Sequence, residues 1–191
     1  TIKVTYVANN TAANTTLARC SGTAVGFTPV STVTGSQFTW TIKSIGPNIT
    51  GANASAIFGP GPINDVLVNT GTAIETVVYE ISAKSAGGCV GTPFTLTVTV
   101  YPPITGNVIS ANQTICANQT PAALGQDASS TLSGGNLTTY IYAWEQKVGA
   151  GPSWTTISGA TSADYQPGAL TTTTMYRRTV WSPNAQSCVN V

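Results

Sequence analysis

The sequence predicts an all-β fold arranged as two tandem β-sandwich domains, and three observations lead there. Apolar residues alternate with threonine at period two in several short runs. Turn-forming residues separate those runs at short intervals. A set of landmark residues occurs twice in the same order, with Cys20, Trp40, Tyr79 and Cys89 answered by Cys116, Trp144, Tyr176 and Cys188.

The landmark offsets are 96, 104, 97 and 99 residues, so the chain divides into domains of 1–101 and 102–191. The junction falls at Tyr101-Pro102-Pro103, where two prolines stiffen the crossing. The clearest strand is Phe94-Thr-Leu-Thr-Val-Thr-Val100, a strict alternation that buries one face. Phe38, Trp40 and Ile42 alternate likewise, as do Val77, Tyr79 and Ile81, while Tyr140, Tyr142 and Trp144 are the second-domain counterpart of the first set. The β-branched residues Thr, Val and Ile suit such a pleated surface. Gly59-Pro60-Gly61-Pro62, Asn69-Thr70-Gly71, Gly87-Gly88 and Gly134-Gly135 supply turns, and no segment carries a helical period.

The two domains close differently. Domain 1 ends on the long strand after Cys89, whereas domain 2 offers only Cys188-Val-Asn-Val191. The opening segment Thr1-Ile-Lys-Val-Thr-Tyr-Val7 reads as a strand ahead of domain 1. Joined head to tail, Cys188 to Val7 spans 10 residues, against 11 from Cys89 to Val100. Thr1–Val7 therefore reads as the closing strand of a preceding domain or subunit, making the chain one unit of a head-to-tail polymer, covalent or built by strand addition. The competing expectation makes Thr1–Val7 the first strand of domain 1, with the last strand of domain 2 outside this sequence.

Composition narrows the function. Of 191 residues, 7 are Lys or Arg and 6 are Asp or Glu, giving a net charge of +1 and a charged fraction of 7%, far below the usual ~25%. Neutral polarity comes from 33 Thr, 16 Ser and 13 Asn. With no His, the commonest general base and metal ligand is missing and the usual Ser–His–Asp triad cannot form. The few scattered basic residues give no footprint for nucleic acid. No apolar run approaches the length that spans a bilayer as a helix, so no membrane insertion is expected.

The four cysteines, Cys20, Cys89, Cys116 and Cys188, form no CxxC pair and have no His beside them, which argues against zinc. The spans Cys20 to Cys89 and Cys116 to Cys188 are 69 and 72 residues, suggesting one disulfide per domain and an oxidising, extracytoplasmic setting. Four buried thiols in a reducing compartment are the alternative. Asp65, Glu75, Glu80, Asp127, Glu145 and Asp164 are too dispersed for a calcium loop or a local carboxylate pair, so neither metal, cofactor nor catalysis is expected. Trp40 and Trp144 read as core residues packed on the disulfides, and Trp154 as core. Arg177 and Arg178 are adjacent and so face opposite sides of a strand, one of them a surface stem over apolar area. Seven Asn-x-Ser/Thr triplets occur, at Asn9, Asn14, Asn48, Asn53, Asn112, Asn118 and Asn136, and they read as coincidence in a chain this rich in Thr and Asn.

Several phrases carry a family resemblance. They are Thr114-Ile115-Cys116 with Gln119-Thr-Pro-Ala-Ala-Leu124, Trp154-Thr-Thr-Ile-Ser-Gly-Ala160, Pro167-Gly-Ala-Leu170 and Tyr176-Arg-Arg178. In the first half, Cys20-Ser-Gly22, Phe38-Thr-Trp40 and the Gly88–Val100 run belong to the same idiom. Together they resemble the PKD-like and Ig-like repeats of very large Bacteroidetes surface proteins, gliding-motility adhesins of the SprB type among them. The resemblance implies extracellular β-sandwich modules in tandem, exported by the type IX route, with no catalytic residues to carry over. Trp181 departs from it, standing where such repeats have a small or polar residue, and is the candidate ligand-binding aromatic. The expected function is a structural and adhesive module, its partners neighbouring repeats or other copies of itself and a surface polysaccharide. A carbohydrate-binding accessory module of a secreted enzyme is the alternative.

Overall fold

The computed structural model describes Ile2, 12–183 and 188–191; the strand expected at Thr1–Val7, Ile2 apart, lies outside the described residues. Two compact units form, Thr1–Pro102 and Pro103–Val191. All regular structure among the described residues is β, as the sequence predicts.

In the first unit, five strands form one sheet in the order β1-β8-β7-β3-β5: β1 (Thr15–Cys20), β8 (Phe94–Tyr101), β7 (Glu75–Lys84), β3 (Gln37–Ile45) and β5 (Ser55–Gly59). A three-stranded sheet faces it, ordered β2-β6-β4, from β2 (Thr23–Ala24), β6 (Val66–Asn69) and β4 (Ile49–Thr50). The alternation in β7 and β8 does the work of closing the sandwich. Val77, Tyr79, Ile81 and Ala83 of β7 point inward beside Phe94, Leu96, Val98 and Val100 of β8, and all eight are buried in one core. Each large apolar side chain so buried contributes roughly 1.5–3 kcal/mol. β3 obeys its alternation less strictly: Phe38 is buried, Trp40 and Ile42 are half-buried, and a bulge interrupts the ladder between Ile42 and Ser44.

The second unit repeats the plan with fewer ladders. Its sheet runs β10-β9-β11-β12, from β10 (Thr155–Thr156), β9 (Ile141–Val148), β11 (Thr174–Ser182) and β12 (Cys188–Asn190). The facing layer consists of isolated bridges, Thr105↔Ser133, Ile109↔Gln126, Gln119↔Leu170 and Leu124↔Tyr165. The tryptophan strands sit in comparable registers. Trp40 of β3 lies opposite Ile81 of β7, and Trp144 of β9 lies opposite Arg178 of β11.

Candidate functional site: cysteines, buried polar hubs and the edge of β11

The cysteines depart from the one-disulfide-per-domain expectation. Cys20 and Cys188 are disulfide-bonded, whereas Cys89 carries a half-buried thiol and Cys116 is an exposed free thiol. Sheet geometry explains why neither within-unit bridge forms. Cys20 is level with Tyr101 at one end of β8, and Cys89 lies in the β7–β8 hairpin at the Phe94 end. The seven residue steps from Phe94 to Tyr101 separate the two by about 23 Å, against the ~7 Å limit on a disulfide's Cα atoms. In the second unit, Cys116 precedes a turn whose Asn118 amide donates to Leu170 O just ahead of β11, while Cys188 pairs with Ser182 at the far end of that strand.

Cys20 and Cys116 occupy the same local frame. Each precedes a turn with a left-handed residue, Gly22 (φ +80°) or Asn118 (φ +66°). The amides of these residues donate to Leu67 O and Leu170 O respectively, both at 2.8 Å. Glycine and asparagine are the residues that adopt that backbone at least cost.

The tryptophans are structural in their surroundings. Trp144 is fully buried, donates its indole N–H to Ser162 O at 3.0 Å, and packs on Tyr165, which in turn meets Tyr176. Its neighbours are these rings and Arg178, not a disulfide as the sequence suggested. Trp40 is half-buried against the first core, its indole donating to Asn53 O at 3.0 Å. Trp154 lies half-buried beneath the Arg177 guanidinium, 4.7 Å away. Trp181, the candidate ligand-binding aromatic, is half-buried on β11 between Ile141 and Val189.

Strand parity separates Arg177 from Arg178 as expected, and Arg177 is the surface stem, its guanidinium over the Trp154 ring. Arg177 pairs with Glu145 at 2.6 Å on the outer face. Arg178, 2% exposed, donates to Asn107 Oδ1 (2.9 Å), Ala163 O (2.8 Å) and Gln126 Oε1 (2.6 Å), between the faces of Tyr142 and Trp144. Burial pulls its pKa below the ordinary value, while Tyr142 and Asp164 push the other way. Sequence reasoning missed this hub; its signal was the pairing of Arg178 with the core residue Trp144.

The first unit has a smaller polar hub. Buried Tyr79 donates its hydroxyl to Asp65 Oδ2 at 2.7 Å, and Asp65 also accepts from the Asn53 amide at 2.8 Å. Burial, then the hydrogen bond and charge of Asp65, raise the Tyr79 pKa far above its ordinary value. The remaining acids stay apart: Glu80 pairs with Lys43, Glu75 accepts from Asn48, and Asp127 caps Ser129 with its pKa lowered by that hydroxyl and amide. No group of three metal-ligating side chains occurs among the described residues.

An open groove of about 630 Å³ lies in the second unit, bordered by Ile109, Ile115, Leu124, Met175 and Tyr176, and a smaller one of about 420 Å³ adjoins Cys116 and Leu170–Thr174. The larger runs between residues 111–116 and the edge of β11. β12 covers that edge only from Val180 to Ser182, so Thr174–Thr179 have no ladder partner on that side among the described residues. No charged side chain borders the groove.

Fold and site together define tandem β-sandwich modules. Residues 17–104 match the family model of the PKD-like domain, and residues 105–191 match that of a domain of unknown function. The first unit is thus similar to PKD-like domains, supporting the PKD-like part of the resemblance and an extracellular repeat module. No curated protein matches the chain.

Proposed function

We propose that the chain is a structural and adhesive repeat segment of a bacterial cell-surface adhesin or filament, acting as a stalk in surface attachment or gliding. The observation that carries this reading is the succession of two sandwich modules along the chain. The PKD-like match ends at residue 104, the second match begins at 105, and the compact units divide at Pro102–Pro103, leaving no spacer. A joint of two prolines transmits direction better than a flexible linker does. Disulfide-bonded Cys20 and Cys188 suit an oxidising exterior. The phrases shared with Bacteroidetes surface repeats favour such an organism and export by the type IX route.

The surface chemistry favours a stalk over a sugar-binding platform. Every aromatic ring among the described residues is buried or half-buried, and half-buried Trp181 shares its face of β11 with Met175, Arg177 and Thr179 and has Ile141 and Val189 beside it, none of them aromatic. The test is antibody labelling of intact and permeabilised source cells, alongside retention of the purified chain on insoluble polysaccharides. Labelling of intact cells with no retention is expected. Labelling only after permeabilisation overturns the reading, and saturable retention lost in Trp181→Ala replaces it with the carbohydrate-binding one.

A further inference from the structure

On the outer face of the second unit's sheet, three strands bring one residue each to a common level. Trp181 of β11 lies opposite Ile141 of β9 on one side and Val189 of β12 on the other. Ile141 is 39% exposed and Val189 58%, with Trp181 half-buried between them. The first unit shows what the fold asks of this place. Its Trp40 lies opposite Ile81 as Trp144 lies opposite Arg178, so Lys84 stands where Trp181 stands. Lys84 has Gln37 on one side and Val90 on the other. The inward neighbours agree in the two units, with Ala83 and Ser85 buried in one and Val180 and Ser182 in the other. One sandwich thus closes with lysine and glutamine at this level, so tryptophan and isoleucine are not needed there to build the sheet. A contiguous apolar patch that the fold does not dictate reads as a contact surface.

We propose that Ile141, Trp181 and Val189 form a self-association patch, and that its occupant is the same patch on a second copy of this chain. Charge selects that occupant. None of the three side chains is charged, and the nearest charges on their face of β9 and β11, Glu145 and Arg177, neutralise each other at 2.6 Å. Lys147 lies six residue steps along β9 from Ile141, about 20 Å away. The whole chain carries only +1, so two copies meet without a field that holds them apart. A strongly charged partner would find no counter-charge in the patch. The pairing is isologous, its twofold axis crossing the strands at Trp181, so that like residues meet and the Arg177–Glu145 ends point away from each other. Three side chains already partly covered offer roughly 200–300 Å² a copy, well short of the ~800 Å² a side of a stable complex. A single pair of chains therefore binds weakly, with a dissociation constant on the order of a millimolar. Where linked repeats lie side by side, each further contact becomes intramolecular and the association strengthens. That lateral bundling rests on the repeat-module reading above, but the test of the patch does not.

The test is nuclear magnetic resonance of the isotope-labelled full chain in a dilution series reaching about 1 mM, with sedimentation equilibrium beside it. The Trp181 indole N–H signal, assigned by its loss in Trp181→Phe, is expected to move with concentration. The signal of Trp144, buried and bonded to Ser162 O, should stay fixed. Added salt should leave the Trp181 shift unchanged, because no charge takes part. Val189→Glu and Val189→Lys should each weaken association by roughly tenfold or more, and an equimolar mixture of the two should restore it, as opposite charges then meet across the axis. Val189 faces solvent, and circular dichroism melts keep a folding defect from passing as a loss of binding. A Trp181 signal that stays fixed in a chain of monomer mass overturns the proposal. So does association that survives Val189→Glu, or that the mixture fails to restore. A Trp181 signal that moves with added cellohexaose but not with chain concentration also overturns it, in favour of a carbohydrate site. Each of the first three failures leaves the stalk reading standing, because that reading is decided on whole cells.

Discussion

Replacing Arg178 with Met tests whether a buried cation organises the second unit. The substitution keeps much of the side-chain volume but strips the donors from Asn107 Oδ1, Ala163 O and Gln126 Oε1, which the guanidinium reaches at 2.6–2.9 Å. A buried acceptor left unsatisfied costs about 1–3 kcal/mol, and the contacts over Tyr142 and Trp144 add about 0.5–2 kcal/mol. Release from the desolvation of a buried charge opposes both terms, so the net loss expected is about 3–5 kcal/mol. Damage spreads because Gln126 also donates to Gly106 O and Ser130 O, and Asn107 donates to the Arg178 carbonyl. The assay is urea denaturation of the full chain followed by tryptophan fluorescence. With a slope of about 1–2 kcal/mol per molar for a unit this size, the second unit's midpoint should fall by about 2 M or more, while the first unit's holds. Arg178→Lys keeps the charge but cannot span three acceptors, and should recover little. A loss under about 1 kcal/mol in Arg178→Met would refute the reasoning, since water would then be serving those acceptors equally well.

Three further outcomes follow from the same geometry. Tyr79→Phe should cost the first unit about 1–2 kcal/mol and leave Asp65 bonded to Asn53, as read by thermal unfolding. In the wild type, the raised Tyr79 pKa gives a contribution fully present below the ordinary tyrosine value near 10 and lost as pH climbs above it, so alkaline unfolding should begin later in the variant relative to its own neutral stability. Native alkylation followed by peptide mass mapping should label Cys116 at once and label Cys20 and Cys188 only after reduction. Gly51→Ala should destabilise the first unit by about 1–3 kcal/mol in denaturant titration, because φ is +90° there and an added Cβ would lie 2.1 Å from Val66 O.

Strands whose alternation had one clear apolar face were legible in the sequence, and β8 is the plainest case: threonine marks every outward position and Phe94, Leu96, Val98 and Val100 every inward one. β1 was not legible, because Thr15–Cys20 mixes a half-buried arginine with apolar residues and owes its strand to pairing with β8. The facing layer of the second unit was equally hidden, since single bridges leave no periodicity. The arginines show where parity stops. Adjacency says that Arg177 and Arg178 face opposite ways, but which one faces inward depends on register against Trp144, a property of the partner strand. Cysteine spacing misled for a related reason: similar separations along the chain placed each pair at opposite ends of a sheet.

The two units repeat one plan but fill it unequally. Among the described residues the first unit buries fourteen apolar side chains, four of them from β8, and the second buries five. Where the first unit has Ile81 opposite its tryptophan, the second has Arg178, held by three acceptors in place of apolar neighbours.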